Sequence, residues 1–356
     1  LCAHPPFRAT LAGAAPPRAG RPAEEHRPAQ RRVIRAVDDI PDQPAAPEAA
    51  LDLTDIGALK ALLRRHGLAQ TNKRLGQHLL ISRRALDAVV TAAELTADDN
   101  ALEVGAGPGA LTIALAQRAG RVVAIEMDRD ILPALAETTA PFPNIEIIAR
   151  DLLTVDLGAV FGGQPYKFVA NLPYYITALI LRRILEARPR PTRLVVMTQR
   201  EVAERMVAPP GELSLLGLSV QFYGQPRIVA LVPATAFYPP PKVESAVVRV
   251  DIFPSLPLDD AGCDLLFSLA HAAFGGKRKQ IHNSLAQNLR LAPEQVGRWL
   301  AASAIEAERR AQSLSLDDWL RLTAAALADP PQPIAQIGER LRTRRQPPKP
   351  HHAKDE

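Results

Sequence analysis

Four short motifs, in chain order, carry side chains that chemistry could use. The first is Glu103-Val104-Gly105-Ala106-Gly107-Pro108-Gly109-Ala110, a glycine-rich run behind a short apolar stretch. Small residues there let the backbone approach a ligand closely, and a following helix would present its free N–H groups. Gly105, Gly107 and Ala110 satisfy the permissive dinucleotide fingerprint, and Glu126 lies about 20 residues on. That carboxylate can accept hydrogen bonds from ribose hydroxyls in NAD or in an adenosyl cofactor alike. The pair therefore indicates a nucleotide-type cofactor without choosing one, and a purely structural glycine turn is the alternative. Asp151, followed by Leu152, could reach an adenine amino group or simply cap a turn. The fourth motif, Asn171-Leu172-Pro173-Tyr174, is as a bare tetrapeptide an ordinary turn.

In order and at this spacing the four say more. Asn-x-Pro-aromatic after a strand, about 65 residues past a glycine loop, matches the motif of amino-methyltransferases that use S-adenosylmethionine. Nothing in hydride transfer calls for this tetrapeptide. The chemistry explains the residue types. An exocyclic adenine amine is a poor nucleophile because its lone pair is delocalised into the ring. Two acceptors gripping its N–H hydrogens favour a pyramidal nitrogen with a localised lone pair, and the natural pair is the side-chain oxygen of Asn171 with the backbone carbonyl of Leu172. Pro173 stiffens the turn that aims them. Tyr174 offers a face on which an extruded base can stack, worth ~1–3 kcal/mol per base. Phe237, in the proline-stiffened run Ala236 to Ser245, could close on the base from the other side, or be buried packing. No strong general base is required, because the methylated amine loses its proton easily.

These motifs need a scaffold that puts strand ends together. Short apolar runs at Ala101–Val104, Val122–Glu126, Ile145–Ile148, Phe168–Asn171 and Leu194–Met197 predict strands. Helical stretches at Leu111–Arg118, Asp130–Glu137 and Thr177–Ala187 separate most of them, so a parallel sheet covered on both faces is expected. Ile228–Val232 and Ala246–Ile252 have no helix between them and predict an antiparallel hairpin at one edge. Ahead of the sheet, Thr54 is expected to cap a short helix ending at Gly67. Beyond Pro257, Leu265 to Ala273 and Ile281 to Leu289 read as helices, and Ser315 to Asp318 starts a last one by its capping pattern. The expected fold is α/β, a Rossmann-like sheet with a small all-helical C-terminal domain.

Composition bounds the rest. Of 33 prolines, nine lie in residues 1–50 and six in the last 28. Residues 1–50 (Ala/Pro/Arg-rich) and 329–356 (basic) are expected to be disordered, because neither can bury enough apolar surface to offset ordering entropy. For the first fifty residues an over-extended translation start is expected rather than a transit peptide, which Glu24, Glu25 and the prolines oppose. The expected organisation is a catalytic domain over 51–254 and a helical domain over 255–328. The net charge of +5 shrinks to +2 between the ends, so local clusters must carry any nucleic-acid contact. Cys2 and Cys263 provide neither a disulfide framework nor a cysteine-based zinc site. No apolar run approaches the ~18 residues of a membrane span, and a cytoplasmic protein is expected.

From about Leu68 to Leu327 the chain resembles the bacterial ribosomal RNA small-subunit adenine N6,N6-dimethyltransferases (the KsgA/RsmA group). The resemblance rests on Leu75 to Leu80, Glu103 to Gly109, Ile125 to Asp128, Asp151-Leu152, Asn171 to Tyr174, Gln199 to Ala203, Phe237 to Ser245 and Phe274 to Leu285. It implies transfer of methyl groups from S-adenosylmethionine to two adjacent adenosines of 16S rRNA during small-subunit assembly, by a monomer that needs no metal. Matched residue by residue, it implies cofactor contacts from His78, Leu80, Gly105, Glu126, Asp151 and Asn171. Base handling falls to Asn171, Leu172, Tyr174 and Phe237. Lys277, Arg278 and Lys279 are the expected RNA phosphate contact, although a solvated charged face would look the same. The chain departs from the family at His78, where Asn is usual, and around Leu213–Val220, where Tyr-Gly-Arg usually precedes Leu-Ser-Val.

Three rivals follow from the same residues. An Erm-type enzyme acting on 23S rRNA shares the catalytic motifs, but Phe274–Leu285 and Pro239-Pro240-Pro241 favour the small-subunit group. A non-catalytic RNA-binding assembly factor on this fold is opposed by the intact Asn171–Tyr174. An NAD dehydrogenase is the third.

Overall fold

A computed structural model describes residues 35–36, 51–68, 78–276 and 278–330. Within the two ends expected to be disordered, residues 35–36 instead form a paired strand; apart from these and 329–330, the ends lie outside the described residues, as do the first part of the Leu75–Leu80 motif and Lys277.

The described residues begin with a two-residue strand β1 (Arg35–Ala36), helix α1 (Ile56–Arg65), a short strand β2 (Leu79–Leu80) and helix α2 (Arg83–Ala93). Asp55, not Thr54, caps α1, accepting from the Ala58 N–H at 2.7 Å; Thr54 is engaged instead by Asp52. Alternation then sets in. The run is β3 (Asn100–Val104), α3 (Ala110–Ala116), β4 (Arg121–Ile125), α4 (Leu132–Thr139), β5 (Ile145–Ile148), α5 (Leu157–Phe161), β6 (Lys167–Asn171), α6 (Thr177–Leu185) and β7 (Arg193–Gln199). Two helices, α7 (Arg200–Met206) and α8 (Leu215–Tyr223), precede β8 (Gly224–Val232), β9 (Phe237–Tyr238) and β10 (Ser245–Ile252). Helices α9 (Asp260–Phe274), α10 (Ile281–Leu289), α11 (Pro293–Ala302) and α12 (Leu316–Ala328) complete the described chain.

The large sheet has the order β1-β8-β10-β7-β6-β3-β4-β5. Strands β3 to β7 are mutually parallel; β10 runs antiparallel to both β7 and β8, as expected of the edge hairpin. The two residues of β1 add a parallel rung outside β8. Strand direction and order put the C-terminal ends of β3 and β6 side by side where the winding reverses, which is where open α/β sheets bind ligands.

Alternation along each strand explains why both faces are covered. Leu102, Phe168, Ala170, Leu194 and Val196 point into one cluster with α5, α6 and α8. Ala101, Val169, Val195 and Met197 point into the other, under α2 and α3. The first cluster continues without a break into the helical segment through Phe222, Leu266, Trp299 and Trp319, so α9–α12 share a core with the sheet. α11 was not anticipated: its apolar residues, Val296, Trp299 and Leu300, are sparse, though Pro293 at its first turn is a start signal.

A second, two-stranded ribbon escaped the sequence entirely. Leu79 pairs with Tyr238 and Leu80 with Phe237, and the Ile81 N–H donates to the Ala236 carbonyl at 2.8 Å. Two residues per strand leave no periodicity to read. The capping pattern at Ser315, by contrast, is realised in full: its hydroxyl accepts from the Asp318 N–H at 3.1 Å, and the Asp318 carboxylate accepts from the Ser315 N–H at 2.9 Å. Ser315→Ala should therefore lower stability by about 1 kcal/mol, read as a shifted midpoint in urea unfolding with an unchanged slope.

Candidate active site

A cleft of about 270 Å³ opens over the C-terminal ends of β3, β4 and β6, and all four motifs line it. At the end of β3 the chain turns through Gly105, Gly107 and Gly109 at φ of 74°, 57° and 98°. L side chains avoid this region. At Gly109 a Cβ would also stand 2.9 Å from Thr138 Oγ1. The turn leaves the first turn of α3 facing the cleft, without a side-chain cap. Gly105 is held to the neighbouring strand by its N–H, which donates to the Ile125 carbonyl at 2.8 Å.

Glu126, one residue past β4 and 5% exposed, accepts from the Gly107 N–H at 2.9 Å and from the Asp128 N–H at 2.9 Å. It thus ties the glycine turn to the next strand end. Burial pushes its carboxyl up from the ordinary value, against the pull of those N–H groups. Asp151 lines the cleft and caps the turn Leu152–Thr154, accepting from the Leu153 N–H at 2.9 Å. The residue that motif matching left without a role is Glu103. Strand alternation turns it toward α3, where it is 2% exposed and accepts from Thr112 Oγ1 at 2.6 Å. Burial pushes its carboxyl up to about 8, with the Glu126 charge adding to the shift. A carboxyl inside the apolar run Ala101–Val104 was the available signal.

Asn171 ends β6. Its Nδ2 donates to the His78 backbone carbonyl at 3.3 Å. A carbonyl only accepts, so the amide nitrogen must face it, and Oδ1 is left toward the cleft. The next residue is fixed too: the Leu172 N–H donates to the Met197 carbonyl at 3.0 Å. Tyr174 is anchored through its hydroxyl, 2.7 Å from Ser245 Oγ, and its ring stacks on that of His78 with centroids 5.6 Å apart. Ser245, the last residue of the Phe237–Ser245 motif, is the anchor of the Tyr174 hydroxyl. His78 is held by Nδ1, 2.7 Å from the Pro239 carbonyl. That partner makes Nδ1 the donor, so in the neutral ring Nε2 is an acceptor, where the usual Asn could also donate. Leu80 lines the wall beside it.

Phe237 stands apart. It is 2% exposed, packs with Leu80, Ala85 and Leu86, and does not line the cleft. Its ring is support beneath the wall, because pairing with Leu80 places it on the core side of the ribbon. Arg278 and Lys279 are exposed beside α10, away from the cleft lining, with Lys279 Nζ donating to Gln287 Oε1 at 2.5 Å. The departure at Leu213–Val220 is the start of α8, capped by Ser214.

The family described as ribosomal RNA adenine dimethylase matches residues 68–327. The chain belongs to that family. The dimethylase match is supported by relatives named ribosomal RNA small subunit methyltransferase A. That of Dehalococcoides mccartyi (strain 195) is 44% identical over 262 residues, covering 73% of this chain and 90% of its own. That of Alkaliphilus metalliredigens is 40% identical over 264 residues, covering 72% and 92%. Among solved structures, a dimethyladenosine transferase from Plasmodium falciparum superposes with a TM-score of 0.60 at 25% identity, covering 70% of this chain and 98% of that one. The 23S rRNA methyltransferase ErmE gives 0.57 at 29%, covering 69% and 98%. The Rossmann-like dimethylase fold and methyltransferase activity follow, and the NAD dehydrogenase is excluded. No helix among the described residues is long and apolar enough to cross a membrane.

Two predictions arise from the cleft. The folded chain holds a proton on Glu103 that the unfolded chain releases above about pH 4.5. Stability of the ligand-free protein should therefore fall as pH rises from about 4.5 toward 8. Glu103→Gln should flatten that slope, and Glu126, shifted the same way, should keep the remainder. Gly109→Ala should lower the melting temperature by several degrees and weaken cofactor binding, since φ of 98° and the Thr138 contact both oppose a methyl group. Thermal scans with and without ligand read both effects.

Proposed function

We propose that this chain transfers methyl groups from S-adenosylmethionine to the exocyclic N6 of two adjacent adenosines in 16S rRNA, forming N6,N6-dimethyladenosines during assembly of the small ribosomal subunit. The observation that carries this reading is Asn171, which lines the cleft with its amide nitrogen on the His78 carbonyl, so that its oxygen is left as an acceptor.

The residues present fit an adenosyl sulfonium. The cleft is lined by three acidic side chains, Glu103, Glu126 and Asp151; Glu103 is held protonated by burial, and an entering sulfonium would favour its ionised form. The glycine turn supplies close backbone approach. Glu126 would take the ribose hydroxyls, Asp151 the adenine amino group, and Gly105, His78 and Leu80 the remaining wall. When bound, the cofactor supplies a methyl group activated by positively charged sulfur.

The protein's own part is alignment and exclusion of water. Asn171 Oδ1 and the Leu172 carbonyl accept the two N–H hydrogens of the target amine, draw its lone pair out of conjugation and aim it. Tyr174, fixed by Ser245 and backed by His78, stacks on the base. The aimed lone pair would take the methyl group as the carbon–sulfur bond breaks, leaving a neutral thioether, and the alkylated amine would release its proton to solvent as the product leaves, with no dedicated base. In a second round the monomethylated nitrogen has one N–H left, which one of the two acceptors would hold while the methyl group occupies the place of the other hydrogen. An extruded or unpaired adenosine is the form of RNA that such a site can take.

Small-subunit rRNA is favoured over 23S rRNA because the relatives at 44% and 40% identity carry the small-subunit name, whereas ErmE is 29% identical. We assign residues 51–254 to catalysis and the helices of 255–328, with the cluster at Lys277, Arg278 and Lys279, to gripping RNA phosphates. The chain acts as a monomer in the cytoplasm and needs no metal.

Incubation with labelled S-adenosylmethionine and unmodified small subunits should put N6,N6-dimethyladenosine into 16S rRNA. Label appearing only in large-subunit rRNA would sink the substrate assignment. Asn171→Ala should lower kcat by about 10²–10³-fold, the scale of losing one oriented hydrogen-bonding group at a reacting centre, with the melting temperature unchanged. Normal turnover by that variant would remove Asn171 from the mechanism.

A further inference from the structure

Helix α1 lies before residue 68, where the family match begins, yet Leu53 and Leu59 line the cleft. Both are buried, at 3% and 1% exposure. We infer that α1 and the turn before it are part of the cofactor site, a clamp that presses the wall carrying His78 and Leu80 against the glycine turn.

Three sets of contacts fix the helix to the walls around the cleft. Leu59, Leu62 and Leu63 pack in one cluster with Leu79 of β2, Ile113 of α3 and Ala134 of α4. Arg65 Nη2 and His66 Nε2 lie 2.5 Å and 2.6 Å from the two oxygens of Glu137 on α4. Lys60 Nζ sits 4.8 Å from the ring centroid of Tyr238, on β9. α1 therefore bridges the helix that follows Glu126, the first turns of the helix that follows the glycine loop, and the ribbon that carries His78.

Position then decides function. Leu79, gripped by α1 through the shared cluster, stands 3.5 Å from where a Cβ on Gly107 would be. His78, one residue earlier, holds the Asn171 amide through its carbonyl. The ribbon itself is only two residues per strand, too short to be stable alone. Without α1 its apolar underside would face water. The wall would then sit loosely against the glycine turn, and bound cofactor would exchange with solvent faster. Leu53 and Leu59 close the cleft; Arg65, His66 and Lys60 are positioning residues for them.

This inference rests on reading the cleft as the cofactor's site. Calorimetry with S-adenosylmethionine on the full chain and on a chain starting at residue 68 tests it, with hydrogen exchange at the Leu80 and Ile81 amides as a second readout. Deletion should weaken binding at least tenfold and speed exchange at those amides. Binding within twofold of the full chain overturns the clamp. Failure of the full chain to bind would instead overturn the cofactor reading. Should the shortened chain not fold, Leu59→Ala decides. Compared at a temperature where both are folded, it should weaken binding several-fold, while Leu300→Ala, a core truncation in α11, leaves binding unchanged. Equal effects of the two substitutions also overturn the clamp.

Discussion

One hydrogen bond organises the site: the Asn171 side-chain nitrogen on the His78 carbonyl. An amide at a strand tip can rotate, and rotated by half a turn it would place donors where the proposed reaction needs acceptors. The carbonyl removes that freedom, and the rest of the cleft can be read as what keeps the carbonyl in place. His78 is tied to Pro239 through its ring and stacked on Tyr174. Its neighbours Leu79 and Leu80 are paired with Tyr238 and Phe237. Asn171 is set by its place at the end of a central strand, with β7 on one side and β3 on the other. Two segments 93 residues apart are thereby registered to within one hydrogen bond.

The electrostatics complement this geometry. Glu103 and Glu126 are buried carboxyls, each raised by desolvation, in a cleft that lacks a buried guanidinium or ammonium among its lining residues. Such a site is costly to ionise when it holds only water, and gains when a cation enters. The same burial that destabilises the ligand-free protein near neutral pH thus favours a sulfonium ligand. Glu126 is further braced by the Gly107 and Asp128 N–H groups, which is why its shift is opposed by its own turn.

Much of this was legible in the sequence because it is local. The strand runs, the glycine turn, the capping pair Ser315–Asp318 and the order of Glu126, Asp151 and Asn171 all depend on neighbours within a few residues. What was hidden is tertiary. The β2–β9 ribbon has too few residues for periodicity. Phe237 looked free to close on a base because its proline-rich surroundings read as a loop; its partner Leu80, 157 positions earlier in the chain, turns it into the core. Glu103 was visible as part of a motif, but only its burial beneath α3 gives it a chemical character. Leu53 and Leu59 reached the cleft through a helix that the sequence marked merely as preceding the sheet.

The most direct test of how the site works is a high-resolution structure of the protein with adenosine and a non-reactive analogue of the methyl donor. Asn171 Oδ1 should lie within about 3 Å of the adenine N6, with Nδ2 still on the His78 carbonyl and the ring over Tyr174. An adenine bound with Asn171 turned away, or with its amide nitrogen toward N6, would contradict the role given to that bond.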